Sequence, residues 1–210
     1  MKSLIFPFLL LIIIQASAQN ARVGFNAGVN FSTLVFKSVD ENPKLSYKPG
    51  IALGMLLDIP VTSAFSVQPA LNYVTKGAKF PLEKTNINLN YFEVPLNLLY
   101  YSKSSIGKFF IGGGPYIAGP IMSNVIIDTN NVKHREEIEF GKTENSDFRS
   151  FDWGVNGTTG ILFKNGFQVS AFFSRGLYNL NPSREDGAGK GYNQSFGIKL
   201  GYLCGSISGR

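Results

Sequence analysis

The chain has 210 residues, a formal net charge of +6 and only 16% charged residues. Designed soluble surfaces carry roughly 25–35% charged residues, so this chain is charge-poor for a soluble protein. Its single cysteine, Cys204, excludes an internal disulfide framework. The Lys and Arg residues are scattered, which argues against a nucleic-acid partner. The 23 glycines and 13% aromatic residues point instead to a β-structure that faces lipid.

The N-terminus has the pattern of a secretory signal peptide. Lys2 precedes an apolar run from Leu4 to Ile14, and the small-residue site Ala16-Ser17-Ala18 follows. The apolar run is too short for a transmembrane anchor, which needs about 20 residues. We therefore predict a signal peptide over residues 1–18, cleaved after Ala18, and a single β-barrel domain over residues 19–210.

Apolar and polar residues then alternate with period two, the pattern of half-buried strands. Eight strands are predicted, at Arg22–Leu34, Tyr47–Ile59, Ala64–Thr75, Ile87–Tyr101, Lys108–Met122, Phe151–Phe163, Phe167–Ser174 and Ser195–Tyr202. Most have about ten residues or more, whereas globular strands average about 5–6 and tilted membrane strands need about 9–11. Strand length therefore favours a membrane barrel over a soluble sandwich.

The predicted connections alternate between long and short along the whole chain. They are Val35–Ser46, Pro60–Ser63, Lys76–Asn86, Ser102–Gly107, Ser123–Ser150, Lys164–Gly166 and Asn179–Gly191. Outer-membrane barrels join their strands by short periplasmic turns and longer external loops. We therefore predict an all-β fold, an eight-stranded antiparallel up-and-down transmembrane β-barrel with both ends in the periplasm.

The segment Asn90–Tyr101, NYFEVPLNLLYY, fixes the faces of the fourth predicted strand. Its apolar residues should face lipid, namely Phe92, Val94, Leu96, Leu98 and Tyr100. Glu93 should then face the lumen, because a charge on the lipid face near mid-membrane costs roughly 2–4 kcal/mol. Pro95 should also point inward. With Pro69 and Pro115 on the neighbouring strands it forms a belt of prolines at similar height, where we predict bulges or loosened pairing.

The charged residues on the predicted inward face are the one group of side chains with a potential chemical role. They are Asp58, Glu93, Asp152 and Lys199, with Lys48 and Arg175 as further candidates. A charge in a tight lumen needs a partner. We expect a structural salt-bridge network that plugs the barrel, because eight strands leave an interior that side chains fill. The alternative is a proton or solute path.

Aromatic residues near the predicted strand ends suggest girdles at the two membrane interfaces. They are Tyr91, Phe92, Tyr100, Tyr101, Phe109, Phe110, Phe163 and Phe167.

Nothing in the sequence predicts a catalytic, cofactor-binding or metal site. His134 is the only histidine and stands in the longest loop, without a nucleophile beside it. The acidic residues of that loop lack the spacing of a calcium site. Gly112-Gly113-Gly114 lacks the Gly-Lys-Ser/Thr ending of a phosphate-binding loop. We therefore expect a protein that is not an enzyme and has no cofactor.

Several segments together resemble the PorT-like outer-membrane β-barrel family. They are Asp58–Phe80 (DIPVTSAFSVQPALNYVTKGAKF), Tyr91–Tyr101 (YFEVPLNLLYY), Phe109–Pro120 (FFIGGGPYIAGP), Asp152–Gly160 (DWGVNGTTG) and Ser174–Leu180 (SRGLYNL). The resemblance runs in order through most of the chain after residue 18. It implies a small barrel in the outer membrane of Bacteroidetes-like bacteria, and some members are linked to type IX protein secretion. Such barrels often end on an aromatic residue, whereas this chain continues from Tyr202 to Arg210.

Three classes of function remain open at this point. The first is a structural or interaction protein of the cell envelope that sits in outer-membrane lipid and contacts other envelope or secretion proteins. The second is a barrel that binds or transports a small ligand. The third, an outer-membrane enzyme, is disfavoured because no histidine-based site is visible.

Overall fold

The computed structural model describes residues 21–37, 45–82, 84–129, 132–141, 146–183 and 189–205. The predicted signal peptide and its cleavage site at Ala18 lie outside the described residues. The described strands are β1 (Arg22–Lys37), β2 (Lys48–Pro60), β3 (Phe65–Phe80), β4 (Thr85–Lys103), β5 (Gly107–Thr129), β6 (Val132–Glu137), β7 (Asp152–Phe163), β8 (Phe167–Gly176) and β9 (Lys190–Leu203). Within these ranges, no helix is long and apolar enough to cross a membrane.

Eight of the nine described strands close into an antiparallel ring. The order around it is β4-β3-β2-β1-β9-β8-β7-β5, and β5 returns to β4. The first strand of the chain, β1, pairs with the last, β9, from Gly24 opposite Leu203 to Lys37 opposite Lys190. The predicted eight-stranded up-and-down barrel is thereby confirmed. The ninth strand, β6, was not predicted, and it pairs only with the end of β5 beyond the ring.

The connections divide the barrel into two unlike ends. Three short connections, at residues 61–64, 104–106 and 164–166, lie at the end where β1 begins and β9 finishes. We call this the turn end, and the opposite end the loop end. The loop end carries the long connections at residues 38–47, 138–151 and 177–189, together with a short one at 81–84. Outer-membrane barrels have their short turns in the periplasm and their longer loops outside, so the loop end faces outward.

The outer face of the barrel is apolar, as the alternation predicts. On β4 the five predicted lipid-facing side chains, Phe92, Val94, Leu96, Leu98 and Tyr100, are 43–54% exposed. Similar rows run along the other strands, including Val23, Phe25 and Val29 on β1 and Ile51, Leu53, Met55 and Leu57 on β2. An exposed apolar belt of this extent, running around a closed barrel, is typical of a surface that contacts a membrane.

The aromatic girdle prediction is wrong for three residues. Tyr91, Tyr101 and Phe110 are buried inside the barrel, because each stands on the inward phase of its strand. On the outer face near the turn end, Phe65 packs against Tyr100 with ring centroids 5.3 Å apart.

Two predicted loops are shorter than the sequence suggests. The predicted loop Lys76–Asn86 shrinks to residues 81–84, because β3 continues to Phe80 and β4 begins at Thr85. The predicted loop Ser123–Ser150 contains the end of β5 and all of β6. The β3–β4 and β5–β6 hairpins therefore extend beyond the apolar belt. Polar residues on their outer face make the period-two alternation hard to recognise in the sequence.

The proline belt loosens the strand pairing without a bulge. Pairing of β3 with β4 stops after Pro69 opposite Leu96 and resumes at Asn72 opposite Glu93 in the same register. Similar interruptions flank Pro69 on the β2 side and Pro115 on the β4 side. The predicted loosening is thus observed and the predicted bulge is not, since a missing N–H removes a hydrogen bond without adding a residue. The register shift that does occur lies higher, between Asn88 and Asn90.

The lipid belt leads to a direct prediction about stability. Leu96 is 50% exposed on the outer face of β4, so Leu96→Arg should destabilise the barrel in vesicles by about 2–4 kcal/mol. Urea unfolding in phospholipid vesicles measures the change. The matched control is Leu82→Arg, because Leu82 is 83% exposed in the β3–β4 connection. Equal losses for the two variants would contradict the position of the belt.

Candidate functional site: the layered lumen

An apolar layer fills the lumen at the turn end. It consists of Leu56, Leu99, Tyr101, Phe110, Leu162 and Leu203. Beside it, Arg22 forms an ion pair with the fully buried Asp58. The hydroxyl of Tyr101 donates a hydrogen bond of 3.1 Å to the other oxygen of the same carboxylate. Asp58 is therefore a satisfied buried charge at the entrance of the barrel.

A polar layer occupies the middle of the lumen and encloses a cavity of about 50 Å³. Its walls include Asn26, Gln68, Asn72, Asn97, Asn156 and Lys199. A Cβ at Gly54 would come within 2.0 Å of the side-chain oxygen of Asn72, so any larger residue here would displace that amide. A polar cavity of this size suits a few water molecules and is far smaller than ordinary ligand pockets of about 300–1,000 Å³.

Lys199 points into this layer but makes no ion pair with a described residue. Its ammonium nitrogen lies 4.7 Å from the ring centroid of Phe172. A cation over an aromatic face gains a modest electrostatic attraction.

A second ion pair lies above the polar layer, toward the loop end. The Lys76 ammonium donates a hydrogen bond of 2.6 Å to the Glu93 carboxylate. Both side chains are buried, with relative exposures of 1% and 9%. The ammonium also lies 4.6 Å from the ring centroid of Tyr116 and 5.6 Å from that of Tyr91. Lys76 is thus held by one carboxylate and two aromatic faces.

Asp152 completes this upper charged group. One oxygen of its carboxylate accepts hydrogen bonds from the Tyr116 hydroxyl at 3.3 Å and from the Asn193 amide at 2.8 Å. Tyr116 therefore links the Lys76–Glu93 pair to Asp152 through its ring and its hydroxyl. The group joins β3, β4, β5, β7 and β9 across the lumen.

An apolar cap closes the lumen at the loop end. Its buried members are Leu34, Ala78, Leu89, Tyr91, Tyr116, Ala118, Ile138 and Leu180. Leu180 comes from the β8–β9 connection and Ile138 from the chain after β6, so the loops fold over the mouth of the barrel. The cap and the turn-end layer enclose the charged and polar groups between them.

The structure places all four predicted lumen charges inside the barrel but does not join them into one network. Asp58 pairs with Arg22 at the turn end, and Glu93 pairs with Lys76 near Asp152 at the loop end. Lys199 lies between these two groups. The structural plugging role assigned to these charges remains a prediction.

Lys48 is also inward and buried. Arg175 points outward, so its prediction as an inward charge is wrong. Arg175 pairs across the sheet with Val155 and Gln194, and directly opposed residues share a face. Its guanidinium donates a hydrogen bond of 2.9 Å to Gln194.

Neither basic partner is among the lumen charges predicted from the sequence. Lys76 falls in a predicted loop, although inward alternation from Asn72 through Val74 continues directly to it. Extending the period-two pattern would have found Lys76. Arg22 stands 36 residues before Asp58, and only the register of the β1–β2 hairpin brings the two together.

Neither of the two reactive side chains considered from sequence lies in the lumen. His134 is exposed on β6 at the loop end, and Cys204 is exposed just after β9 at the turn end. The described residues contain no group of His, Cys, Asp and Glu arranged to hold a metal ion.

With this geometry established, the comparisons with known proteins identify the family. Residues 16–181 match the model of the outer membrane protein beta-barrel domain. The chain belongs to this family. The match ends before β9, whose pairing with β1 and β8 completes the ring. Family membership and fold together place the protein in the lipid of the outer membrane.

Solved structures with a similar fold include three outer-membrane or surface barrels. Ail, the attachment invasion locus protein of Yersinia pestis, has 10% identity and a TM-score of 0.44, covering 88% of this chain and 99% of its own. OprG of Pseudomonas aeruginosa has 13% identity and a TM-score of 0.44, covering 89% of this chain and 97% of its own. Neisserial surface protein A has 6% identity and a TM-score of 0.45, covering 87% of this chain and 98% of its own. No curated protein sequence matches the chain significantly.

The buried Lys76–Glu93 pair leads to a second stability prediction. Lys76→Met leaves the Glu93 carboxylate buried without its cation, so unfolding in vesicles should become easier by about 3–5 kcal/mol. The double variant Lys76→Met/Glu93→Leu should lose much less, because apolar replacement of both partners removes the uncompensated charge. Lys164→Met, in the exposed β7–β8 turn, is the control. A double variant as unstable as the single variant would contradict this account of the pair.

Proposed function

We propose that this protein is a non-enzymatic, non-conducting barrel that presents its loop end to other components of the cell envelope. The observation that carries the proposal is the layered lumen. Apolar side chains occupy both ends of the barrel, and the cavity between them measures about 50 Å³. A continuous solute path would have to displace buried, closely packed side chains at two levels.

The charges in the lumen support the same proposal. Asp58 and Glu93 are each bound by a basic side chain of the neighbouring strand, and Asp152 is bound by Asn193 two strands away, so all three carboxylates cross-link strands. An eight-stranded barrel is just wide enough for side chains to fill. Carboxylates bound by the barrel's own side chains are suited to stiffening the barrel rather than to binding a passing solute.

The loop end supplies the contact surface in this proposal. All six residues of β6 are exposed, and five of them are ionisable: Lys133, His134, Arg135, Glu136 and Glu137. Within the described chain, β6 has a strand neighbour on one side only. A free strand edge can add a strand from a partner, and the mixed charges would select that partner. The charges also limit indiscriminate pairing.

Participation in type IX protein secretion is the more specific form of this proposal. It is supported by the resemblance of the segments from Asp58 to Leu180 to PorT-like barrels and by the location in the outer membrane. An exported precursor cleaved after Ala18 would deliver the chain to the outer membrane.

Conductance separates the proposal from the transport alternative. Purified wild-type protein in planar bilayers should give no resolved current steps, because both ends of the lumen are filled. Uptake of small solutes into vesicles that contain the protein should match that of empty vesicles. Stable current steps, or saturable uptake of a small ligand, would instead favour a transport barrel.

The contact surface can be tested in native membranes. We expect crosslinking and affinity purification to recover envelope proteins, and the charge-swapped variant Lys133→Glu/Glu136→Lys to lose them while keeping the net charge. Lys164→Glu, at the turn end, should retain the loop-end partners. A deletion strain with an unchanged set of secreted proteins would remove the type IX proposal alone. Equal recovery with the charge-swapped variant would remove the β6 surface.

A further inference from the structure

The wall of the barrel has a local gap on the β7 side of β5. Pairing of β5 with β7 ends where Ala118 lies opposite Asp152. Above this level, β5 is joined on the same side only from Ser123, whose carbonyl accepts a hydrogen bond from the Ile138 amide, and then by β6 from Asn124. Within the described chain, the β5 backbone from Gly119 to Met122 has no strand neighbour on this side.

A groove of about 480 Å³ lies along this part of β5. Half of its lining residues are apolar or aromatic, namely Tyr73, Ile121, Met122, Ile138 and Phe140, and the other half are polar, namely Asn90, Ser123, Asn124, Arg135 and Glu137. Its volume falls within the range of small-molecule pockets, roughly 300–1,000 Å³. Met122 is 91% exposed, so this apolar side chain has little protein to pack against.

The mouth of the groove lies at the outer boundary of the lipid belt. On the outer face of β4, Phe92 is the last apolar side chain, and Asn90 and Asn88 follow it toward the loop end. The Tyr73 hydroxyl donates a hydrogen bond to Asn90 at 3.2 Å. Tyr residues mark the interface between the acyl chains and the headgroups of a bilayer. The groove is therefore continuous with the lipid-facing surface.

The groove does not lead into the lumen. Ile138, which forms part of its lining, belongs to the buried apolar cap, and Phe140 packs against that cap. An apolar chain entering from the membrane would end against these side chains. The geometry suits retention of a bound molecule and not its passage through the barrel.

Arg135 and Glu137 supply opposite charges at the upper side of the groove. They stand two residues apart on β6 and share its outer face, and neither forms an ion pair with a described residue. A guanidinium beside a carboxylate matches a headgroup that carries a phosphate and a primary ammonium. Both contacts would be charge-assisted hydrogen bonds.

We propose that the groove binds one lipid of the surrounding membrane that carries a phosphoethanolamine headgroup. Its acyl chain lies against Ile121, Met122 and Phe140. Its phosphate accepts hydrogen bonds from Arg135, and its ammonium donates to Glu137. The bound lipid covers the exposed Met122 and fills the gap beside β5.

Photocrosslinking in lipid nanodiscs tests the site. The probe is phosphatidylethanolamine with a photoreactive acyl chain, added as a minor component to phosphatidylcholine discs that contain the full-length protein. Crosslinks should concentrate on residues 121–124 and 138–140. Photoreactive phosphatidylcholine and phosphatidylglycerol with the same acyl chain should label these residues less, because the first lacks ammonium N–H donors and the second lacks the cation.

Three variants sharpen the result, with circular dichroism confirming that each barrel is folded. Met122→Trp should reduce labelling of the groove by its bulk, whereas Met55→Trp, on the lipid face of β2, should not. Arg135→Gln should reduce phosphatidylethanolamine labelling severalfold, because the lipid phosphate loses its charge-assisted hydrogen bonds. Even labelling along the belt, no effect of Met122→Trp, or labelling by phosphatidylglycerol that equals that by phosphatidylethanolamine would overturn the proposal.

Discussion

The structure depends on one constraint, which is that every backbone N–H and C=O group inside a lipid bilayer must be paired within the protein. The chain meets it by pairing its first strand with its last, from Gly24–Leu203 to Lys37–Lys190. Closure gives every strand of the ring two neighbours and divides each strand into a lipid face and a lumen face. The location of every charge in the barrel follows from that division.

Closure also creates a narrow interior that has to be filled. The chain fills it in layers, with apolar side chains at the two ends and polar side chains between them. Burying Lys76, Glu93 and Asp152 is possible because each one finds a partner on another strand. The Lys76–Glu93 contact joins the neighbouring strands β3 and β4, and the Asp152–Asn193 contact joins β7 to β9. The lumen charges and the closed sheet therefore stabilise each other.

Departures from the regular barrel are concentrated toward the loop end of β5. The register shift near Asn90, the end of the β5–β7 pairing at Ala118 and the extra strand β6 all lie there. A perfectly regular barrel would have an unbroken lipid face and no groove. The same irregular region carries the exposed charges of β6 and the exposed Met122. A fold that is closed and filled elsewhere can therefore interact with lipid and protein at this one place.

The sequence by itself determined the fold class, because period-two alternation shows the lipid face directly. Phe92, Val94, Leu96, Leu98 and Tyr100 could be placed outward, and Glu93 inward, from their spacing alone. Where the outer face becomes polar, alternation no longer distinguishes a strand from a loop, and the sequence pattern therefore places Lys76 in a loop. Local pattern also could not show β6, whose charged residues read as a solvated loop.

Only the tertiary structure decided which charges pair. Strand register places Arg22 directly opposite Asp58. It places Glu93 opposite Asn72, four residues before Lys76 on the same inward face, so the long Lys76 side chain reaches the carboxylate. The tertiary structure also showed that Lys199 lies over Phe172 without an ion partner among the described residues, and that Arg175 stands outside the lumen. Spacing along one strand fixes the face of a residue, whereas its partners depend on the register between strands, which the closed ring sets as a whole.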